Sequence, residues 1–381
     1  MPPFTFNTTP SLIVGSGTLA RIGEIAAMRL GPRVLVVTDA GLVRAGLVAP
    51  ALDHLVRAGV RVAVYDEVVA DPPETVVLNA ANRARTFGAE AVIGLGGGSS
   101  LDVAKLVALL ARGSETLPEV YGVGLARGPR LPLLLTPTTA GTGSEVTPIA
   151  IVTTGAHEKK GVVSPVLIPD IALLDPELTL GLPPAATAAT GIDAMVHAIE
   201  AYTSASQNNN PVSRALAREA LRLLSRNIHR AVHHGRDPEA RAAMLLGAML
   251  AGQAFANSPV AAVHALAYPI GGHFGVPHGL SNALVLPHVL RFNAPACGPL
   301  YAELLTHAFP ERAGGDAEDF VAAIADLSRS CGLEQRLRDV GIPADAVAMM
   351  AEDAMRQTRL LVNNPRAVTF EDVRAIYEAA W

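Results

Sequence analysis

The sequence predicts an α/β domain of Rossmann-like type, built on a parallel sheet, followed by an all-helical domain. Three observations carry that prediction. Short β-rich runs alternate with helical runs through the first half, as βαβ units of a parallel sheet require. From about Pro183 the strand signals vanish and Ala- and Leu-rich amphipathic helices take over. At 381 residues the chain is too long for one ordinary core. The boundary is placed near residue 182, with an α/β domain over 1–182 and a helical domain over 183–381.

The first strand is Arg33-Val-Leu-Val-Val-Thr-Asp39, a buried type followed by a helix-compatible stretch to Ala58. Val60–Tyr65 is the second strand. A helical pattern from Glu74 to Phe87 follows Asp71-Pro-Pro. Ala91–Leu95 and Leu131–Leu135 are the third and fourth strands. In the second half, helices are predicted over Ala185–Thr203, Pro211–Val232 and Pro238–Ala256, with several more to the C-terminus. Pro183-Pro184 suits a helix start. The polar stretch Ser204–Asn210 reads as a loop. The last helix opens on Thr369-Phe-Glu-Asp372, a capping-box pattern with Asp in place of Glu.

Composition narrows the function. Half the residues are hydrophobic and 17% are charged, which suits a large interior. The net charge of −5 is spread without blocks, so nucleic acid is excluded as a partner. The most apolar stretch, Ala242–Ala256, contains Gln253 and is shorter than the roughly 20 residues a membrane span needs, so it reads as a core helix. Cys297 and Cys331 form no metal spacing and imply no disulfide framework. The N-terminal residues lack a basic region followed by an apolar core. The expected compartment is therefore the cytoplasm.

Two loops in the first half bear on ligands. Gly94-Leu-Gly-Gly-Gly-Ser-Ser100 follows a strand and opens a helix. Gly96, Gly97 and Gly98 let the backbone approach an anion, and the helix N-terminus adds free N–H groups and its positive dipole end. Ser99 or Ser100 can cap that helix as well as meet a phosphate. A tight turn with no ligand is the alternative, although three consecutive glycines exceed what a turn needs. The polar loop Thr136–Thr147, with Thr138, Thr139, Thr142 and Ser144, suits wrapping a cofactor, or is simply exposed. Asp39 ends the first strand, where a carboxylate accepts from ribose hydroxyls and repels a 2′-phosphate, favouring NAD over NADP. A helix N-cap is its other reading.

The second half holds a different chemistry. Between Arg241 and Arg291 there is no Asp, Glu, Lys or Arg, yet the run carries His264, His273, His278 and His288. Such a run reads as interior, and buried imidazoles need partners. Upstream, Asp193 and His197 are four residues apart in a helical pattern and share one face. His264 and His278 flank a turn-rich span containing Pro269, Gly271-Gly272, Gly275 and Pro277. One carboxylate and three imidazoles suit Fe²⁺, Zn²⁺, Co²⁺ or Ni²⁺ better than Mg²⁺ or Ca²⁺.

Five segments carry a family resemblance: Gly96–Lys105, Thr136–Glu145, Gly191–Glu200, Val263-His264 and Pro277-His-Gly279. With them the chain resembles the iron-containing (group III) alcohol dehydrogenases along almost its whole length. The resemblance implies their two-domain architecture, shared with dehydroquinate synthase, and an active site in the cleft between the domains. It implies that Asp193, His197, His264 and His278 hold a divalent metal, with Fe²⁺ favoured and Zn²⁺ the alternative. It places NAD(P) against Gly97, Gly98, Ser99, Asp102, Thr138, Thr139, Ser144 and Lys160. The expected reaction is reversible hydride transfer between NAD(H) and a small alcohol or aldehyde, by a homodimer or larger homo-oligomer.

One position departs from the pattern. Many relatives carry a second His four residues after the third ligand, where this chain has Tyr268. A phenol with a pKa of about 10 is a poor base at neutral pH. Tyr268 and His273 are thus the candidates for proton handling. Three rival readings stand beside this one. A glycerol dehydrogenase-like or maleylacetate reductase-like enzyme is disfavoured by the full ligand set. A metal-dependent hydrolase of a phosphate ester would use the metal without a redox cofactor.

Overall fold

The computed structural model describes residues 2–155 and 158–381. Its first compact unit comprises Asn7–Thr139 and Gly143–Leu180. In chain order it holds β1 (Ser11–Val14), α1 (Ile22–Arg29), β2 (Arg33–Val37), α2 (Ala40–Arg44), α3 (Ala49–Arg57), β3 (Arg61–Tyr65), α4 (Glu74–Phe87) and β4 (Ala91–Gly96). These are followed by α5 (Gly98–Arg112), α6 (Leu117–Val120), β5 (Gly122–Val123), β6 (Leu133–Pro137), β7 (Ile149–Thr154), β8 (Glu158–Val163) and β9 (Ile171–Leu174).

Six strands form one parallel sheet in the order β1-β9-β6-β4-β2-β3. The four strands expected from their apolar runs are neighbours within it, because continuous Val, Ile and Leu suit strands covered on both faces. Alternation decides which face each residue serves. Leu35, Val37, Val92, Leu133 and Leu135 pack with α4 and α5, while Val34, Val36, Ile93, Leu95 and Leu134 pack with α1 and α3. Strands β1 and β9, and the small sheet β5-β8-β7, were not expected.

The second unit contains Gly181–Trp381 together with residues 2–6 and Ala140–Thr142. It consists of α7 (Pro184–Thr203), α8 (Pro211–His233), α9 (Pro238–Asn257), α10 (Ala262–Phe274), α11 (His278–Ala308), α12 (Ala317–Ser330), α13 (Val347–Met355), α14 (Thr358–Leu361) and α15 (Phe370–Ala380). Helix α15 starts at the expected capping box, with Thr369 accepting from the Asp372 backbone N–H. The buried guanidinium of Arg241 fastens α9 to the start of α7 by donating to Thr187 Oγ1 at 2.8 Å and to the Leu182 carbonyl at 3.0 Å.

Two expectations are corrected. Helix α5 begins at Gly98 behind an N-cap Gly97 and has no side-chain cap, so Ser99 and Ser100 lie inside its first turn. The span between His264 and His278 is helix through Pro269 and Gly271-Gly272, and only Gly275–Pro277 is non-helical. Pro269 removes one backbone donor, but packing of α10 against α11 and α13 holds the helix together across it. The helix stops at Gly275, whose φ of +65° is the left-handed conformation a C-terminal glycine supplies.

Candidate metal centre and cofactor loops

Helix α7 presents Asp193 and His197 on one face, both buried. His264 lies in the first turn of α10, and His278 is the first residue of α11. The structure brings Asp193, His264 and His278 together, with one donor atom from each lying within 4.8 Å of the others. The Nε2 atoms of His264 and His278 stand 3.9 and 3.7 Å from Asp193 Oδ1. The Asn282 amide nitrogen lies among the three donors, 2.6 Å from Asp193 Oδ1, 3.5 Å from His264 Nε2 and 3.3 Å from His278 Nε2.

His197 is adjacent, its ring stacked 4.7 Å from His264 on one side and 4.3 Å from Phe255 on the other. Its ring also interacts with the backbone of Gly141, and no well-formed hydrogen bond closes on the buried Nδ1. Burial lowers its pKa to about 3, so the imidazole is neutral and its lone pair is available, as metal ligation demands. Burial pushes the Asp193 carboxyl up, yet the surrounding imidazoles and Asn282 outweigh it and hold the group below its usual value. A buried carboxylate with two imidazole nitrogens facing it and a third, neutral imidazole alongside fits a divalent transition metal.

This cluster needs α7 and α11 in close contact. A Cβ on Gly279, next to His278, would stand 2.3 Å from the Ala189 carbonyl oxygen, so only glycine fits. Gly141 also packs the loop 140–142 closely on α7, where a Cβ would meet Thr190 Cβ at 2.7 Å.

The glycine loop lies at the end of β4, with Gly96 paired to Pro137 of β6. Its backbone carbonyl at Gly96 accepts from Thr138 N–H at 3.0 Å, which sets the two polar loops side by side. Asp102 and Ser144 are joined, Ser144 Oγ donating to Asp102 Oδ1 at 2.6 Å, and Asp102 Oδ2 accepts from Ile151 N–H at 2.9 Å. Beneath them, fully buried Lys105 donates to Thr147 Oγ1 and to the Ile149 carbonyl. Burial lowers Lys105 to about 8 and raises Glu145 to about 7. Thr139 lies against Gly97, where a Cβ would come within 3.6 Å of its Cγ2. Asp39 is the N-cap of α2, its Oδ1 accepting from Leu42 N–H at 3.0 Å. Lys160 lies on β8, 3.4 Å from Glu158 and 5.7 Å from the centre of the Tyr121 ring. Thr142 groups with the helical unit, whereas Ser144 groups with the sheet.

Family models match both parts of the chain: iron-containing alcohol dehydrogenase over residues 9–176, and the C-terminal part of the Fe-containing alcohol dehydrogenase family over 187–381. The chain belongs to the iron-containing alcohol dehydrogenase family. It is 41% identical to long-chain-alcohol dehydrogenase 1 of Geobacillus thermodenitrificans, over 97% of this chain and 94% of that protein. A solved 1,3-propanediol oxidoreductase matches with a TM-score of 0.95 at 35% identity, with complete coverage of both chains. The sulfoacetaldehyde reductase of Bifidobacterium kashiwanohense, solved with NAD⁺, matches with a TM-score of 0.88 at 29% identity, covering 99% and 98%. The protein is thus a metal-dependent alcohol or aldehyde oxidoreductase, in a family that is typically NAD-dependent. No helix among the described residues is long and apolar enough to cross a membrane.

The two proton-handling candidates of this dehydrogenase part company. Tyr268 is beside the metal cluster, its ring centre 5.9 Å from that of His278. His273 pairs instead with Asp353, joining α10 to α13. His288 lies further along α11 and is not in the metal cluster.

Two residues of the site were missed by sequence reasoning. Glu200 is buried against His264, and fully buried Asn282 donates to Asp193 Oδ1 at 2.6 Å. The helical period gave the signal for Glu200, seven residues after Asp193 and on the same face. Asn282 stands four residues after His278, one turn along α11.

Proposed function

We propose that this dehydrogenase interconverts small primary alcohols and their aldehydes with NAD(H), holding its metal through Asp193, His197, His264 and His278. The observation that carries the reading is the convergence of Asp193, His264 and His278 beside the neutral His197. Fe²⁺ is the favoured ion, and it supplies Lewis acidity toward the substrate oxygen when bound. NAD carries the hydride.

The chain's own residues bind and orient. Gly96, Gly97, Gly98 and Ser99 offer backbone amides at the N-terminus of α5 to the cofactor phosphates. Thr138, Thr139, Thr142, Ser144, Asp102 and Lys160 supply further polar contacts, and the oxygen of Asp39 not used in capping accepts from the ribose. Residues 1–182 serve as the cofactor domain and 183–381 as the metal domain. Tyr268 shapes the substrate pocket beside His278, packing there with its hydroxyl as a hydrogen-bond donor. The hydrogen bond with Asp353 favours a structural role for His273. The protein is placed in the cytoplasm as a homo-oligomer.

The test is a panel of primary alcohols, diols and hydroxy acids, with NAD and metal-reconstituted protein, followed at 340 nm. Reduction of NAD that depends on added metal is expected. Metal-dependent phosphate-ester hydrolysis with no change at 340 nm would overturn the reading.

A further inference from the structure

Glu200 closes the motif that supplies Asp193 and His197, yet the reaction as described gives it no task. It is buried on α7 and makes two short hydrogen bonds. Its Oε1 accepts from Val263 N–H at 2.7 Å, and its Oε2 meets His264 Nδ1 at 2.7 Å. The first contact satisfies a donor in the opening turn of α10, a helix with no side-chain cap on its own N-cap residue. The second contact is chemically one-directional. A carboxylate can only accept here, so the contact requires the ring proton on His264 Nδ1. That leaves the lone pair on Nε2, the atom that faces Asp193 Oδ1 at 3.9 Å.

We propose that Glu200 is a positioning residue that fixes the tautomer and ring orientation of His264, so that Nε2 is presented to the metal. This rests on the metal assignment made above. A second bond, from the Val263 backbone, holds the carboxylate itself, so the ring is tied to a fixed group that bridges α7 and the start of α10. A ligand ring fixed in this way binds metal more tightly, because less freedom is lost on coordination.

Glu200→Gln separates this role from simple packing, since it keeps shape and alters only the donor pattern. A glutamine oxygen can accept from Val263 N–H or from His264 Nδ1–H, but not from both. If the amide nitrogen takes the His264 side it donates to Nδ1 and forces the proton to Nε2, closing the metal-facing lone pair. If it takes the other side, two N–H donors oppose each other in the interior.

The experiment uses the full chain, stripped of metal and titrated with Co²⁺ or Zn²⁺. Ring nitrogen correlation spectra of the metal-free protein read the His264 tautomer, with His264→Ala assigning the signal. Glu200→Gln should weaken metal binding by about 10–100-fold and raise the Nε2–H population of His264. Affinity within twofold of the wild type would overturn the proposal, as would weakened binding with an unchanged tautomer. Glu200→Asp keeps an acceptor-only group and must retain the Nδ1–H tautomer; a switch to Nε2–H there also counts against it. That variant carries the test if Glu200→Gln does not fold. Failure of the wild type to take up metal would instead overturn the metal assignment, and this inference with it.

Discussion

Asp39 serves the fold first, because its Oδ1 caps α2, and the proposed ribose contact falls to its other carboxylate oxygen. Glycine is also tolerated at N-caps, at a cost of only a few tenths of a kcal/mol. Asp39→Gly should therefore leave stability nearly intact while narrowing the NAD-over-NADP gap, chiefly through the KM for NADP. Equal use of both cofactors by the native enzyme would contradict this role. Tyr268 poses the second question at this scale. Its ring tilts 43° against that of His278, an arrangement of packing aromatic groups. Tyr268→Phe is expected to change kcat by less than about threefold, since removal of a proton relay costs 10²–10⁴-fold. Tyr268→His should alter the pH profile and the order of preference among alcohols. If the Phe variant loses about 100-fold in kcat, the phenol relays a proton; if the His variant is indistinguishable from wild type, the position has no part in the site.

The metal centre depends on how two helices meet. The Ala189 backbone leaves no room for a side chain at Gly279, so Gly279→Ala must push the first turn of α11 away from α7. A loss of about 1–3 kcal/mol in denaturant unfolding is expected from such overpacking, together with weaker metal binding as His278 moves from Asp193. Gly298, on the same helix, has open space around its missing Cβ. Gly298→Ala should stabilise by about 0.5–1 kcal/mol and leave metal affinity unchanged. Similar effects of the two substitutions would show that close approach is not what Gly279 provides. The same elements mark what the sequence can and cannot convey. Helix α4 matched its expected ends because its period and its αL glycine at 88 are local signals. Strand β5 spans two residues and β8 is half polar, so neither carries an apolar pattern, and pairing alone makes them strands. Pro269 and Gly271-Gly272 read as part of a turn-rich span because their local cost is visible, while the packing that overrides it is distant in sequence. His264 and His278 stood out because buried imidazoles in a charge-free run need partners, and Asp193 because it shares a helix face with His197 four residues on. Asn282 did not, since a lone buried amide has no distinguishing spacing.

All four proposed metal ligands lie within Gly181–Trp381, on α7, α10 and α11, so metal binding and folding are coupled mainly through one of the two units. A ligand that binds only the folded state stabilises it by mass action, about 2.7 kcal/mol when its free concentration is a hundred times Kd. The gain should register where the ligands are anchored. Amide hydrogen exchange is expected to slow on metal addition in α7, the first turn of α10 and the first turns of α11. The central strands β2, β4 and β6 are buried on both faces by their own helices and contribute no ligand, so their exchange should change little. Added NAD should produce the opposite pattern, protecting the first turn of α5 and the loops at the ends of β4 and β6. Protection of the sheet by metal alone, with none in the helices, would place the ion somewhere other than Asp193, His197, His264 and His278.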